Sequence, residues 1–164
     1  MLLDSRANEV AQLRARVFRF ILKAIGHAGD AEDLTQRVIL VALENLKSFR
    51  QDAALSTWVI GIAFNMVRSH RRMAAGNRRF VGEEALEAVP SNDPPLAEHY
   101  VVRDELQRLH RAIATLPDEF REAILLVSLE ELTYEQAAEI LGVPIGTIRS
   151  RVFRARQLLR SALA

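Results

Sequence analysis

Five arginines and no acidic residue lie between Gly142 and the end of the chain. An α-helix turns about 100° per residue. If this segment is helical, four of its side chains lie together on one polar face. That face comprises Arg149, Ser150, Phe153 and Arg154. Guanidinium groups hydrogen-bond to guanine edges, and an exposed phenyl ring suits contact with a thymine methyl group. The segment therefore predicts a helix that contacts nucleic acid, although basic helix faces are also common where only solvent is met.

The rest of this helix predicts how it is held. Two flanking arginines, Arg151 and Arg156, are expected to contact phosphates. An apolar stripe on another side predicts the buried face; it comprises Ile148, Val152, Ala155 and Leu159.

A short helix and a turn must precede the basic helix. Thr133 and Gln136 form a Ser/Thr-x-x-Glu/Gln capping box, which predicts a helix start. Gly142 can adopt the positive φ that ends a helix, and Pro144 lies two residues later. Residues 133–160 therefore predict a helix-turn-helix, whose second helix enters the major groove of DNA.

A second set of residues, in the first half of the chain, suits single-stranded nucleic acid. The set comprises Phe49, Arg50, Trp58, Asn65, Arg68 and Arg72. Single-strand sites combine aromatic rings, on which bases stack, with cations that follow the backbone. The neighbouring Arg71 is also expected to contact phosphates. The alternative is that Phe49 and Trp58 are ordinary core residues.

The spacing of apolar residues predicts the helices of the first half. A first helix runs through Val10 and ends near Gly26–Gly29. A second, over residues 31–46, is capped by Asp30, contains the run VILVAL and is expected to be the most buried element. A third is capped by Ser56. Its core-facing residues are Val59, Ile62, Ala63, Met66 and Val67.

In the second half we expect an apolar seam at Val102, Leu106, Leu109, Ile113 and Leu116. Four glutamates are expected to be solvated: Glu119, Glu122, Glu130 and Glu131.

Charge is segregated along the chain. Overall, 22 basic residues balance 21 acidic ones, but residues 1–80 carry 13 and 7, and residues 81–105 carry one and seven. The acidic segment also contains three prolines, which is typical of a linker. We therefore expect an all-α protein of two small helical domains, 1–80 and 99–164, joined by a flexible acidic linker at 81–98.

Several classes of protein are not expected. The chain has no cysteine, no apolar run of the roughly 20 residues that span a bilayer, and no signal-peptide pattern. Its four histidines do not fall at metal-ligand spacing, and it has no glycine-rich phosphate loop. We expect a soluble intracellular protein without metal or cofactor that is not an enzyme.

Two runs resemble a known family. The run DAEDLTQRVILVALENLKSFRQDAALSTWVIGIAFNMVRSHRR resembles region 2 of the extracytoplasmic-function (ECF) sigma factors of bacterial RNA polymerase, and LPDEFREAILLVSLEELTYEQAAEILGVPIGTIRSRVFRARQLL resembles their region 4. The resemblance implies that Asp33 and Gln36 dock on the β′ clamp helices. It also implies that Phe49 and Asn65 line a pocket for a base flipped from the −10 element, with Trp58 at its base. Arg37 and Ile39 depart from the family's usual glutamate and phenylalanine.

The resemblance further implies the partners. The helix-turn-helix is expected to read the −35 element, and region 4 to meet the flap of the β subunit. The linker is expected to thread through the polymerase, and an anti-sigma factor, often membrane-anchored, to control the protein without any membrane insertion of this chain. Two alternatives remain: an ordinary helix-turn-helix regulator of duplex DNA, which leaves Phe49, Trp58 and Asn65 unexplained, and a helical adaptor with an incidental basic face.

Overall fold

The structure, a computed structural model, describes the backbone of residues 2–50, 52–78 and 97–164. All regular structure within these ranges is helical, which confirms the all-α prediction. The chain divides into two compact units, Met1–Pro90 and Ser91–Ala164. All but the last two residues of the predicted linker lie outside the described ranges. The predicted domain boundaries at residues 80 and 99 therefore stay predictions.

The described residues of the first unit form four α-helices and a short 3-10 turn. The elements are α1 Leu2–Gln12, α2 Arg14–Ile25, α3 Ala28–Glu44, the 3-10 turn Leu46–Ser48, and α4 Leu55–Arg78. Helices α2, α3 and α4 pack against one another, and α1 lies against α3, α4 and the 3-10 turn. The largest fully buried side chains of this core are Val10, Val17, Phe20, Ile21, Thr35, Val38, Val59 and Ile60.

Three local predictions for this unit are wrong. The expected single first helix is two helices, because the amide of Leu13 is shared between the carbonyls of Glu9 and Val10, at 3.2 and 3.1 Å, and the ladder is interrupted there. Helix α3 starts earlier, at Ala28, and its cap is His27, whose Nδ1 accepts a hydrogen bond from the amide of Asp30 at 3.1 Å.

The third error concerns the start of α4. The amide of Trp58 donates to the carbonyl of Ala54 at 3.1 Å, so the helix begins at Leu55 and Ser56 lies within its first turn. Ser56 is therefore not the cap.

The expectation that α3 is the most buried element is also wrong. Leu40 is 57 % exposed and Leu43 is 38 % exposed, since α1, α2 and α4 cover only one side of the helix. Helix α4 instead buries three residues beyond the predicted set, Thr57, Ile60 and Phe64.

The second unit is built around α8. Its elements are α5 Ala97–Thr115, α6 Asp118–Ile124, a π-helical turn Leu125–Leu129, α7 Tyr134–Leu141 and α8 Ile145–Leu163. Helix α8 packs against α5, α6 and α7. Of the predicted seam, Ile113 and Leu116 are buried and Leu109 is partly buried, whereas the side chains of Val102 and Leu106 lie outside the described residues.

The prediction for Glu130 is wrong, because this side chain is buried at 7 % exposure. The amide of Glu130 donates to the carbonyl of Leu125 at 3.2 Å, five residues back, so the wide turn changes which way the following residues face. Glu131 remains exposed and takes a φ of 54°.

The helix-turn-helix has the predicted local structure. The hydroxyl of Thr133 accepts from the amide of Gln136 at 3.1 Å, and the side chain of Gln136 accepts from the amide of Thr133 at 2.9 Å. Gly142 ends α7 with a φ of 64°, and Pro144 caps α8. The predicted capping box and turn are confirmed.

The capping box yields a stability prediction. Thr133→Ala removes the acceptor for the amide of Gln136 and should lower the free energy of unfolding by about 1 kcal/mol. Urea unfolding followed by circular dichroism measures this loss. Thr133→Ser keeps the hydroxyl and is the control; an equal loss in both variants would contradict the role of the cap.

Candidate nucleic-acid interface

Helix α8 presents two distinct sides. Ile148, Val152 and Ala155 are buried and Leu159 is partly buried, so the predicted apolar stripe faces the second unit's core. Arg149, Ser150 and Arg154 are exposed, and Phe153 is 62 % exposed. An aromatic side chain left so far outside a core, among arginines, is available to a partner. That the partner is DNA remains a prediction.

The exposed side of α8 borders a groove of about 340 Å³. Its lining residues are Tyr134, Arg149, Val152, Phe153, Arg156, Gln157 and Arg160. The groove thus brings three arginines, two aromatic rings and an amide together beside the start of α7. Sequence reasoning placed Tyr134 only on the apolar side of α7, and the partial exposure of this residue shows that it also reaches the groove.

Arg151 differs from the other arginines of α8. Its guanidinium lies 3.4 Å from the carboxylate of Glu119 on α6, and its side chain is 21 % exposed. Arg156, by contrast, is exposed and lines the groove. The two arginines predicted to contact phosphates therefore have different surroundings, and Arg151 is already paired within its own unit.

Phe49 and Trp58 form an aromatic pair in the first unit. Their ring centroids lie 5.1 Å apart with the planes tilted by 39°. Both side chains are partly buried, so neither is an ordinary core residue and neither is fully free. Arg6 of α1 also approaches this pair, with its Cζ atom 5.9 Å from the centroid of the Phe49 ring. Sequence reasoning missed Arg6, because nothing in the local spacing connects it to a residue more than 40 positions away.

The predicted single-strand face of α4 lies outside the core. Asn65 and Arg72 are exposed, and Trp58 and Arg68 are partly buried. Asn65 follows Trp58 by seven residues on the same side of the helix, about 10 Å further along its axis. Arg50 is exposed in the loop after Phe49. The structure thus brings Phe49 and Trp58 into contact and leaves Asn65 two helical turns away.

Two arginines of α4 have roles within the fold. The Cζ atom of Arg68 lies 5.0 Å from the centroid of the buried Phe64 ring. The guanidinium of Arg71 donates a hydrogen bond to the carbonyl of Ala24, near the end of α2. Arg71 is thus engaged at a helix terminus, and its predicted contact with phosphates stays a prediction.

Helix α3 carries the residues assigned to polymerase docking. Asp33, Gln36, Leu40 and Leu43 are all exposed and follow one another at spacings of three, four and three residues, so they share one face. The side-chain Nε2 of Gln36 donates to the carboxylate of Glu32 at 3.5 Å. Arg14 also donates to Glu32, and this hydrogen bond lowers the pKa of the Glu32 carboxyl. The two leucines were missed as site residues because an apolar run gives no sign of which side stays uncovered.

Two family matches cover the predicted site residues. Residues 10–76 match Sigma-70 region 2, and residues 106–159 match Sigma-70 region 4. The RNA polymerase sigma-H factor of Pseudomonas aeruginosa is 32 % identical over 176 residues, covering 98 % of this chain and 88 % of that protein. The ECF RNA polymerase sigma-E factor of Escherichia coli K12 is 35 % identical, covering 80 % of this chain and 73 % of that protein. This chain belongs to the ECF sigma factors.

A solved structure of the family has the same fold. The sigma factor RpoE of Bartonella quintana, crystallised with the anti-sigma factor NepR, aligns with a TM-score of 0.74 and 30 % identity. The alignment covers 95 % of this sigma factor and 94 % of the other chain. Sigma factors are DNA-binding transcription initiation factors, and the resemblance inferred from the two sequence runs is confirmed.

Two further findings concern the described residues of this sigma factor. Within them, no group of three or more His, Asp or Glu side chains is arranged to hold a metal ion. Nor does any helix there have the length and apolar character needed to cross a bilayer.

Proposed function

We propose that this sigma factor directs core RNA polymerase to promoters by reading the −35 element with α8 and opening the −10 element with the first unit. The observation that carries this proposal is the Phe49–Trp58 pair, with ring centroids 5.1 Å apart and both rings partly exposed. A regulator of duplex DNA has no use for it, whereas a base extruded from a duplex needs an aromatic surface on which to stack. The protein acts as an initiation factor and not as an enzyme.

Recognition of the −35 element rests on the exposed side of α8. Arg149, Ser150, Phe153 and Arg154 contact base edges in the major groove, and Arg156 holds the helix on phosphates. The exposure of all five side chains supports this assignment. Arg151 contributes less to phosphate binding, since it already pairs with Glu119 at 3.4 Å.

Opening of the −10 element rests on stacking. Unstacking a base costs a few kcal/mol, and stacking on an aromatic ring returns about 1–3 kcal/mol. Phe49 and Trp58 supply the rings, and Asn65 supplies an exposed amide that hydrogen-bonds the flipped base. Arg50, Arg68 and Arg72 follow the strand's backbone.

Polymerase docking rests on α3. Asp33 and Gln36 supply polar contacts to the β′ clamp helices, and Leu40 and Leu43 extend the same face with apolar surface. Exposed leucines adjoining polar residues are typical of a protein-binding surface. Region 4 meets the flap of the β subunit.

An anti-sigma factor controls this protein, which acts in the cytoplasm, where the polymerase is. The proposal is supported by the Bartonella quintana relative, which was crystallised with such a partner. The anti-sigma factor covers the surfaces with which this protein binds the polymerase. Any membrane anchor belongs to the anti-sigma factor and not to this chain.

Transcription from purified components tests the proposal. The sigma factor is added to core RNA polymerase with promoter DNA, and transcripts are mapped. Transcripts that start at defined sites are expected. Binding to duplex DNA without such transcripts would favour an ordinary regulator, and no sequence-specific binding at all would favour a helical adaptor.

Asn65→Ala tests the opening step. The variant should slow the formation of the open complex, because the flipped base loses a hydrogen-bonding partner, and binding to −35 duplex DNA should be unchanged. Permanganate reactivity of unpaired thymines measures opening, and gel shift measures duplex binding. Ser69→Ala, one turn further along α4 and also exposed, is the matched control. Normal strand opening in Asn65→Ala would refute the role.

A further inference from the structure

Arg6 of α1 stands beside the Phe49–Trp58 pair. Its guanidinium carbon lies 5.9 Å from the Phe49 centroid, within the range of a cation–π contact. The residue precedes the range that matches Sigma-70 region 2, which begins at residue 10. Arg6 is therefore a neighbour of the aromatic pair that the family match does not include.

The position of Arg6 is set by the packing of α1. Val10 is fully buried and follows Arg6 by four residues, so both side chains project from the same side of the helix. Helix α1 packs against α3, α4 and the 3-10 turn that precedes Phe49. Arg6 is therefore partly buried, one helical turn before the core residue Val10. From this position its guanidinium contacts the Phe49 ring.

The charge around Phe49 suits an anionic strand. Lys47 and Arg50 are exposed on either side of Phe49, and Arg6 adds a third cation from another part of the chain. Asp52 is the nearby acid in the loop, and it is exposed. Single-strand sites combine such cations with stacking rings, and a guanidinium carries five donors, so it can contact a ring and a phosphate at once.

We propose that Arg6 is a third part of the single-strand site, which stacks on Phe49 and donates hydrogen bonds to the phosphate of the nucleotide bound there. This inference rests on the proposed function of Phe49 and Trp58. It adds a phosphate contact and holds the Phe49 ring in place before the base arrives. Helix α1 thereby takes part in strand binding as well as in the core.

One phosphate contact has a measurable signature. Binding to single-stranded DNA weakens with salt, and each neutralised phosphate contributes about 0.7 to the slope of log K against log salt concentration. Arg6→Gln should lower the slope by about 0.7 and weaken binding roughly two- to fivefold, the effect of one exposed charge contact. Arg6→Lys keeps the positive charge and should keep the salt dependence of binding. Because it lacks the planar guanidinium, it should change the surroundings of the Phe49 and Trp58 rings.

The single tryptophan makes the site its own reporter. Trp58 is the one tryptophan of the chain, so its fluorescence reports on this ring pair alone. The protein is titrated with a single-stranded oligonucleotide of the −10 sequence at several salt concentrations. Open-complex formation by the same variants with core polymerase is measured on duplex promoters and on promoters already unpaired at −10.

The matched control is Arg19→Gln, an exposed arginine of α2 in the same unit. It should leave the salt slope and the opening rate unchanged. If Arg6→Gln matches Arg19→Gln in both, Arg6 is only a packing residue and the proposal is overturned. If Arg6→Gln proves unstable in urea, Arg6→Lys decides by its tryptophan emission and opening rate, and wild-type behaviour in both overturns the proposal. A wild-type protein that directs no promoter-specific transcript would instead refute the proposed function itself.

Discussion

Replacement of Arg154 by alanine should weaken binding to the −35 duplex by about 1–3 kcal/mol, a loss of roughly five- to 150-fold, if the guanidinium makes a bidentate contact with a guanine. The residue is exposed on the same side of α8 as Phe153, so the substitution removes no core packing. The loss should be confined to promoters that carry the contacted base, because alanine cannot distinguish one base pair from another.

Duplex fragments that differ at single positions of the −35 element measure this effect by fluorescence anisotropy. Arg156→Ala is the comparison, since Arg156 lies exposed on the same helix and is assigned to phosphates. It should weaken all fragments by similar factors and reduce the dependence on salt. A uniform loss for Arg154→Ala across all fragments would show that Arg154 too contacts phosphate.

Leu40→Glu should reduce the affinity for core RNA polymerase at least tenfold. Leu40 is 57 % exposed in the free protein, and full burial of a leucine side chain contributes about 1.5–3 kcal/mol. A glutamate at this position brings a charge that must lose its water on docking, which adds to the loss. The fold should be unaffected because the side chain already faces solvent.

Competition for core polymerase against a labelled sigma factor measures the affinity. Met73→Glu is the control: Met73 is 72 % exposed, lies on α4 in the same unit, and is assigned to no docking surface. It should bind as the wild type does. Equal affinities for wild type and Leu40→Glu would remove the leucines of α3 from the docking surface and leave Asp33 and Gln36 as its proposed contacts.

Local chemistry made the helix-turn-helix predictable. The capping box of Thr133 and Gln136, the positive φ of Gly142 and the apolar stripe of α8 involve residues within a few positions of one another, so their hydrogen bonds and facing follow from helix geometry alone. The two-part organisation was predictable for a similar reason, since a reversal of charge and a cluster of prolines stand out in composition. The aromatic, amide and arginine residues of the two candidate sites could also be named from the sequence, because their types and spacing suit nucleic acid.

The tertiary structure decided which of these side chains are available. Whether a given side of a helix meets solvent depends on the neighbour that packs there, and neither periodicity nor composition names that neighbour. Leu40 is therefore exposed although its run is apolar, and Glu130 is buried although it is charged. Arg71 and Arg151 are engaged by a distant carbonyl and a distant carboxylate, whereas Arg6 is brought to Phe49 from the far end of the unit's sequence. The sequence alone determined the all-α class, the helix-turn-helix and the residue types of the two candidate sites, but not where the helices of the first unit start and break. Only the packing of the helices determined where those residues are presented, because exposure and long-range contacts are set by which helix faces pack together.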